Sequence, residues 1–480
     1  MTDSWIVVVI GLVLPWLTGS AWTYWLTSQS SNWHPAAVLG HGYLLGIFTT
    51  TVIMRVFQLA GLQQSFLGTS LCLTALAAAA ALMIYLKPGQ SRIKHAEPRL
   101  PEWQQAAIFL LLAMIAVRYL TIFQELALRP LFPWDAWMNW APKAVVWFHY
   151  NELVPFASQK VWLAAPAEAH TYIEGAKNAW KYPITVPLVQ LWGMLVLNSS
   201  DNSMIYLPWI CIALASGSAL YGHLKLASVH SLLAIAAVYT YLNIPFINVH
   251  SALAGYADLW VTVAFGAGIF ALAEWARNRQ WPYLLLALIM AIFCSQLKIP
   301  GLIMGAIVIA AFLLTLFPLR KRLWLALFIA ASLGLLSLYF VGINATLPYV
   351  GEITVSRSAI VVPYIGAFDV AYHDVTDAVI ETMFLMINWN LLWYIFLAST
   401  LAIVLTPEVL KNHRPEFFAL VTTLGFLYFV YYFTERFMFA EDFTQINRAL
   451  MYSTPVAVFL MAGALNTFLK LRQTQNHSLS

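Results

Sequence analysis

Charge is what this chain has least of. Lys, Arg, Asp and Glu together make up 10% of its 480 residues, where a soluble globular domain carries about 25%. With 61% hydrophobic residues and a mean hydropathy of +0.74, the composition excludes a soluble domain and fixes a polytopic membrane protein. Cysteine is nearly absent too. Cys72, Cys211 and Cys294 all lie within apolar runs, which speaks against a disulfide framework or a thiolate metal site. No basic residue precedes Arg55. The first apolar run therefore lacks a basic n-region and is expected to be a span, not a cleavable signal. There is no Walker motif, no HExxH, no serine-nucleophile elbow, no internal repeat and no low-complexity linker. A net charge of +4 is too small for a nucleic-acid surface and is better read as membrane sidedness.

What the chain does have is apolar length. About 20 apolar residues cross a hydrocarbon layer of roughly 30 Å. Thirteen such runs stand at about 5–26, 36–60, 66–86, 104–123, 203–222, 231–247, 258–276, 281–297, 301–318, 323–342, 379–405, 416–434 and 448–469. The expected fold is an all-α bundle of transmembrane helices in one domain spanning 1–480, with no separate soluble domain. The apolar piece 184–197 is only about fourteen residues long and follows Lys181-Tyr182-Pro183. It is expected to lie in the membrane interface. The interval 124–202 then becomes one large external loop with interfacial helices, and 343–378 a second external loop.

Basic residues orient such a bundle. Lys87, Arg92, Lys94, Arg99, Lys225, Arg277, Arg279, Arg320, Lys321, Arg322, Lys411, Arg414, Lys470 and Arg472 all fall on one side if the N-terminus is outside and the C-terminus cytoplasmic. The opposite loops are long, aromatic and acidic, holding Asp135, Glu168, Asp258, Asp369, Asp374, Glu435 and Asp442. Chemistry is expected on that outer face. Arg55 and Arg118 lie within spans.

The chain is organised around Phe132-Pro133-Trp134-Asp135-Ala136-Trp137-Met138-Asn139-Trp140-Ala141-Pro142-Lys143, which opens the longest polar interval. Tryptophan suits a membrane–water boundary. If the segment is helical, Trp137, Trp140 and the stem of Lys143 share a face. A carboxylate among such rings is partly desolvated, which favours its protonated form and makes Asp135 a candidate general base. An aromatic anchor belt with an incidental acid is the plain alternative.

Four further constellations face the same side. Asn248 to Asp258 is a short turn with His250, Tyr256 and, heading the next span, Asp258; it could bind a sugar or a metal, or be a helix cap. Ser295 to Gly301 sets Lys298 between two apolar runs, where it needs an anion or must snorkel. The large loop carries Glu174, Lys177 and Trp180-Lys181-Tyr182-Pro183, suited to phosphate at a lipid surface or to plain solvation. Thr434-Glu435-Arg436 and Asn447-Arg448 precede the last span, and arginine's rigid fork of donors fits phosphate or an interfacial anchor.

Taken together, these stretches resemble the GT-C-fold glycosyltransferases, the integral membrane enzymes that use polyprenyl-phosphate sugars, such as protein O-mannosyltransferases and aminoarabinose transferases. The resemblance covers about 104–460, so that 104–469 forms the core and 1–103 adds N-terminal helices. It rests on the acid of the first large loop (Asp135), a Lys-Pro-Pro-like element (Lys181-Tyr182-Pro183), a Gly-Tyr-Ala-Asp turn (Gly255 to Asp258), a Lys-x-x-Gly element (Lys298 to Gly301), and Asn447-Arg448 with Pro455. It implies sugar transfer from a polyprenyl-phosphate-linked donor to a lipid, glycan or protein acceptor at the outer face, with inversion and with Asp135 as base. It further implies that Lys298, Arg448 and Lys181 bind the donor phosphate, that Asp258, His250 and Tyr256 hold sugar or metal, and that Trp134, Trp137 and Trp180 line the site. Asp135 stands alone, not in an Asp-x-Asp pair, so a divalent cation (Mg or Mn) is not fixed as cofactor. A bacterial inner membrane, with the active face periplasmic, is the expected location. The competing readings are a flippase or transporter of an anionic lipid or sugar, and a lipid-linked glycan polymerase or ligase.

Overall fold

A computed structural model describes residues 2–30, 32–89, 100–166, 170–317, 333, 340–347, 351–363 and 366–479. The chain begins with a close hairpin of α1 (Thr2–Thr27) and α2 (Pro35–Leu59), followed by α3 (Phe66–Leu86) and α4 (Glu102–Leu128). Three shorter helices come next: α5 (Ala141–Tyr150), α6 (Gln159–Ala164) and α7 (Thr185–Leu197). The bundle then resumes with α8 (Pro208–Leu226), α9 (Ser231–Leu242), α10 (Pro245–Ala252), α11 (Asp258–Asn278), α12 (Trp281–Ser295) and α13 (Ile299–Leu316). It closes with α14 (Leu392–Leu405), α15 (Arg414–Phe433), α16 (Ile446–Met451) and α17 (Thr454–Leu479).

Among the described residues nine helices are long and apolar enough to cross a membrane. They coincide with nine of the thirteen expected runs. Of the other four, three are shorter or broken and one falls outside the described residues. The run 231–247 breaks ahead of Pro245, where α9 and α10 meet at 59°; proline removes an amide donor and crowds the preceding turn. The run 281–297 yields only the fifteen residues of α12. The run 379–405 is interrupted by a turn at Asn390, whose φ is +50°, leaving only α14. The run 323–342 lies almost wholly outside the described residues, as do Arg92, Lys94, Arg99, Glu168, Arg320, Lys321 and Arg322.

Both expected external loops contain regular structure. The first concerns α7, which is packed inside the bundle. Its residues from Thr185 to Met194 are all buried. Trp192 donates its indole N–H to Gly11 O at 2.9 Å, which seats α7 against α1. Apart from Thr185 and Gln190, which are themselves buried, α7 is apolar on every side and has no polar face to present to head groups. The second concerns 343–378. It contains a four-stranded antiparallel meander, β1 (Ile343–Leu347), β2 (Gly351–Val355), β3 (Ala359–Val362) and β4 (Gly366–Asp369), in the order β1-β2-β3-β4. The chain leaving β4 is stitched to the end of α15, where Ala371 N–H donates to Phe433 O at 3.2 Å and His373 N–H to Tyr432 O at 2.8 Å.

α11 is the axis of the bundle, with every residue from Asp258 to Trp275 buried. It carries one acid at each end, about 24 Å apart at 1.5 Å per residue. Glu274 accepts from Arg277 at 2.7 Å and from the amides of Asn32 and Asn278. Arg277 also faces Glu416 at 3.9 Å. His413 bridges Glu416 (3.3 Å) and Thr467 (3.1 Å). This cluster ties the α1–α2 turn, α11, α15 and α17 together. Removing Arg277 leaves two fully buried carboxylates without their shared cation. Arg277→Met should cost about 3–5 kcal/mol, seen as a clear drop in the thermal midpoint of detergent-purified protein; an unchanged midpoint would mean the cluster does not hold these helices.

Candidate functional site

At the other end of α11, Asp258 is fully buried and takes partners from two distant turns. Lys298 Nζ sits 2.8 Å from one carboxylate oxygen and 3.0 Å from the other. Tyr452 OH donates to Asp258 at 2.5 Å. Arg448 lies 3.8 Å away and pairs directly with Asp135. Four residues from four separated stretches (Asp135, Asp258, Lys298 and Arg448) therefore form one continuous ionic chain.

Local geometry explains why these turns converge. Gly301, in the first turn of α13, lies so close to Cys294 O that an added Cβ would stand 2.1 Å from it. The glycine of the Lys-x-x-Gly element thus lets α13 close on the end of α12 and fixes Lys298 between them. Gly255 has φ +90°, and a Cβ there would stand 2.6 Å from Ala136 Cβ. The Gly-Tyr-Ala-Asp turn and the Asp135 turn therefore touch through a position only glycine fills easily. Asn447 accepts from Asn388 at 3.0 Å, which anchors the start of α16 and aims Arg448. Arg448 donates from Nε to Thr444 O at 2.9 Å and lies 5.7 Å over the Tyr256 ring.

The Asp135 turn differs from the expected helix. Residues Ala136–Trp140 form a π-turn, with Ala141 N–H bonded to Ala136 O. The extra residue per turn breaks the shared face: Trp140 and Lys143 are buried while Trp137 is 61% exposed. Trp134 is 62% exposed, and Trp137 donates its indole N–H to Leu131 O. Trp180 faces the Lys181 ammonium at 5.4 Å. Lys181 and Lys177 are exposed and stay outside the ionic chain. The residue that does face it is Tyr182, stacked on Trp140 at 5.2 Å. Burial, and then the Asp135 carboxylate, push its phenol above the usual tyrosine range. Burial does the same for Tyr256.

His250 is buried, donates from Nδ1 to Phe246 O at 3.1 Å, and leaves Nε2 without a partner. Its ring meets that of Tyr256 edge-on at 5.8 Å. A divalent cation does not fit here. Both Asp258 oxygens are engaged by Lys298, with Arg448 beside them, and these cations repel another. Among the described residues no three His, Cys, Asp or Glu side chains converge on one point.

Sequence reasoning gave no role of their own to Tyr452 and Tyr182. Tyr452 stands four residues after Arg448, the helical spacing that puts both on one face. Arg436 was noted but given no role; it lies 5.9 Å over Phe368 of β4 and 5.5 Å over Phe439. It is near enough to act electrostatically on Tyr182.

The loop that carries this site is held from within. Lys143 and Glu174, both buried, lie 2.9 Å apart, and Lys143 also donates to Ala179 O at 3.0 Å. Burial lowers the Lys143 pKa and raises that of Glu174, against the attraction between them. Desolvation therefore outweighs the pairing. Lys143→Met alone should destabilise by about 3–5 kcal/mol, whereas Lys143→Met with Glu174→Leu should come close to neutral. Thermal midpoints of the three proteins decide this, and equal losses in both variants would overturn it.

No protein-family model matches this chain, no curated protein matches its sequence, and no solved structure matches its fold.

Proposed function

We propose that the protein is a membrane glycosyltransferase that moves a sugar from a polyprenyl-phosphate-linked donor to a hydroxyl acceptor at the Asp135 end of the bundle. We place that end on the periplasmic side of a bacterial inner membrane. The observation that carries this reading is the ionic chain Asp135–Arg448–Asp258–Lys298. It sets one partly exposed carboxylate beside cations suited to an anionic leaving group.

The roles follow from the contacts. Lys298 and Arg448 meet the donor phosphate and the charge that grows on it as the glycosidic bond breaks. Asp258 is a positioning residue: its oxygens are taken by Lys298 and Tyr452, so it orders the cations and does not touch sugar. Asp135 accepts the acceptor's proton. The acceptor oxygen bonds to the anomeric carbon from the face opposite the departing phosphate, and the configuration inverts. While Arg448 clasps Asp135, that carboxylate is occupied. An incoming phosphate competes for Arg448 and releases Asp135 Oδ2 as it binds.

A second reading has a specific observation behind it. The α9–α10 pair is broken at the site end, and a discontinuous helix beside ionisable groups is a feature of carriers. Under that reading the same cations form a path for an anionic lipid or sugar.

Purified protein in liposomes with polyprenyl-phosphate sugars separates the two. Release of polyprenyl phosphate by the wild type, reduced about 10²- to 10⁴-fold in kcat by Asp135→Asn, is the expected result. Full activity in a folded Asp135→Asn protein would remove the assigned base. Labelled lipid reaching the other leaflet without being consumed would establish the carrier instead.

A further inference from the structure

The N-terminal helices bring a cation of their own to the site end. Arg55 lies near the end of α2 and is half-buried. Its guanidinium donates to Gln296 Oε1 at 2.9 Å and to Thr185 Oγ1 at 2.5 Å. Both acceptors are neutral, and its buried Nε has no partner. Among the described residues no carboxylate pairs with it. A desolvated guanidinium held only by neutral oxygens is costly and calls for an anion.

Its neighbours say which anion. Gln296 stands two residues before Lys298, and Thr185 three residues after Tyr182, so Arg55 adjoins two segments that supply the site. Lys298 and Arg448 are already matched by Asp258 and Asp135, leaving Arg55 as unspent positive charge. Val52, Val56 and Leu59, on the same face of α2, are exposed at 40%, 52% and 88%. A cation beside an apolar stripe suits a ligand with a phosphate and a hydrocarbon chain. The end of α2 is also fixed to the external loop, since Leu153 N–H donates to Gln58 Oε1 at 2.9 Å and Gln64 N–H to Asn151 O at 2.8 Å.

We propose that Arg55 binds the phosphate of a lipid-linked substrate, so that the N-terminal helix pair is part of the donor site. This rests on the lipid-phosphate reading above and deepens it. The alternative sources of the same chemistry are the donor lipid and the bulk phospholipid of the bilayer.

Binding of polyprenyl phosphate to the full-length protein is measured in phosphatidylcholine nanodiscs by native mass spectrometry, for wild type, Arg55→Lys, Arg55→Gln and Arg55→Met. The expected result is a loss of affinity of about tenfold or more in the Gln and Met variants and a partial loss in Lys. Added phosphatidylglycerol should not compete. Gln can still bond Gln296 and Thr185, so unchanged affinity in Arg55→Gln with a loss confined to Arg55→Met would make Arg55 a helix tie and end the proposal. Equal competition by phosphatidylglycerol would make it an anchor for bulk lipid. Wild-type binding that both variants retain in full would overturn this inference alone. Failure of the wild type to bind would bring down the lipid-phosphate reading with it.

Discussion

A carboxylate buried at the head of a buried helix needs its charge met by groups around it, and Asp258 imposes that requirement on the whole site end. Lys298 meets it from the turn between α12 and α13, Tyr452 from the chain between α16 and α17, and Arg448 from α16. Desolvating a carboxylate costs several kcal/mol unless partners of good geometry offset it. The turns that hold these partners are therefore not free to wander, although they are far apart in sequence. Arg448 passes the constraint on to Asp135, and Gly255 presses the Asp135 turn against the one that leads into Asp258. One buried charge thus orders residues from four parts of the chain.

The opposite end of α11 repeats the device. Glu274 draws on Asn32, Asn278 and Arg277, and Glu416 brings in His413 and, through it, Thr467. A helix that is apolar on all sides has little to fix its depth or rotation, because its apolar faces are energetically interchangeable among apolar neighbours. Polar clusters at both ends remove that freedom. Both also recruit the late segments, since Glu416 of α15 and, through His413, Thr467 of α17 join the cluster at one end while α16 and Tyr452 meet Asp258 at the other.

Much of this was legible in the sequence, and the reason is chemical. Apolar runs near 20 residues mark spans because hydrocarbon tolerates little else. Asp258, Lys298 and Arg448 stood out because ionisable groups at the ends of such runs need partners. What was not legible depends on packing. The burial of α7 leaves no trace in a stretch whose only polar side chains are Thr185 and Gln190. The π-turn at Ala136–Trp140, which turns Trp137 outward, has no residue signature. Tyr182 and Tyr452 are two among 22 tyrosines, and although one sits in the Lys181-Tyr182-Pro183 element and the other at helical spacing from Arg448, it is their proximity to the acids that gives them a role. The same holds for Arg55, which read as an isolated cation within a span until Gln296 and Thr185 were seen beside it.

The pairing within the site bears on how the proposed reaction is timed. With Asp135 held by Arg448 and Asp258 by Lys298, acids and cations neutralise one another before any ligand arrives. An anionic donor must displace a carboxylate to bind Arg448, which weakens its affinity relative to an unpaired guanidinium. The same exchange frees the carboxylate on which proton transfer depends. In the reaction we propose, donor binding and release of the base are one electrostatic event, with Asp135 ready only when a phosphate is in place. A site with free cations would bind the donor more tightly but would leave the acid exposed without it. Asp258 stays out of this exchange because Lys298 and Tyr452 hold it from the buried side. In the proposed reaction the buried acid keeps the geometry and the partly exposed one changes partner.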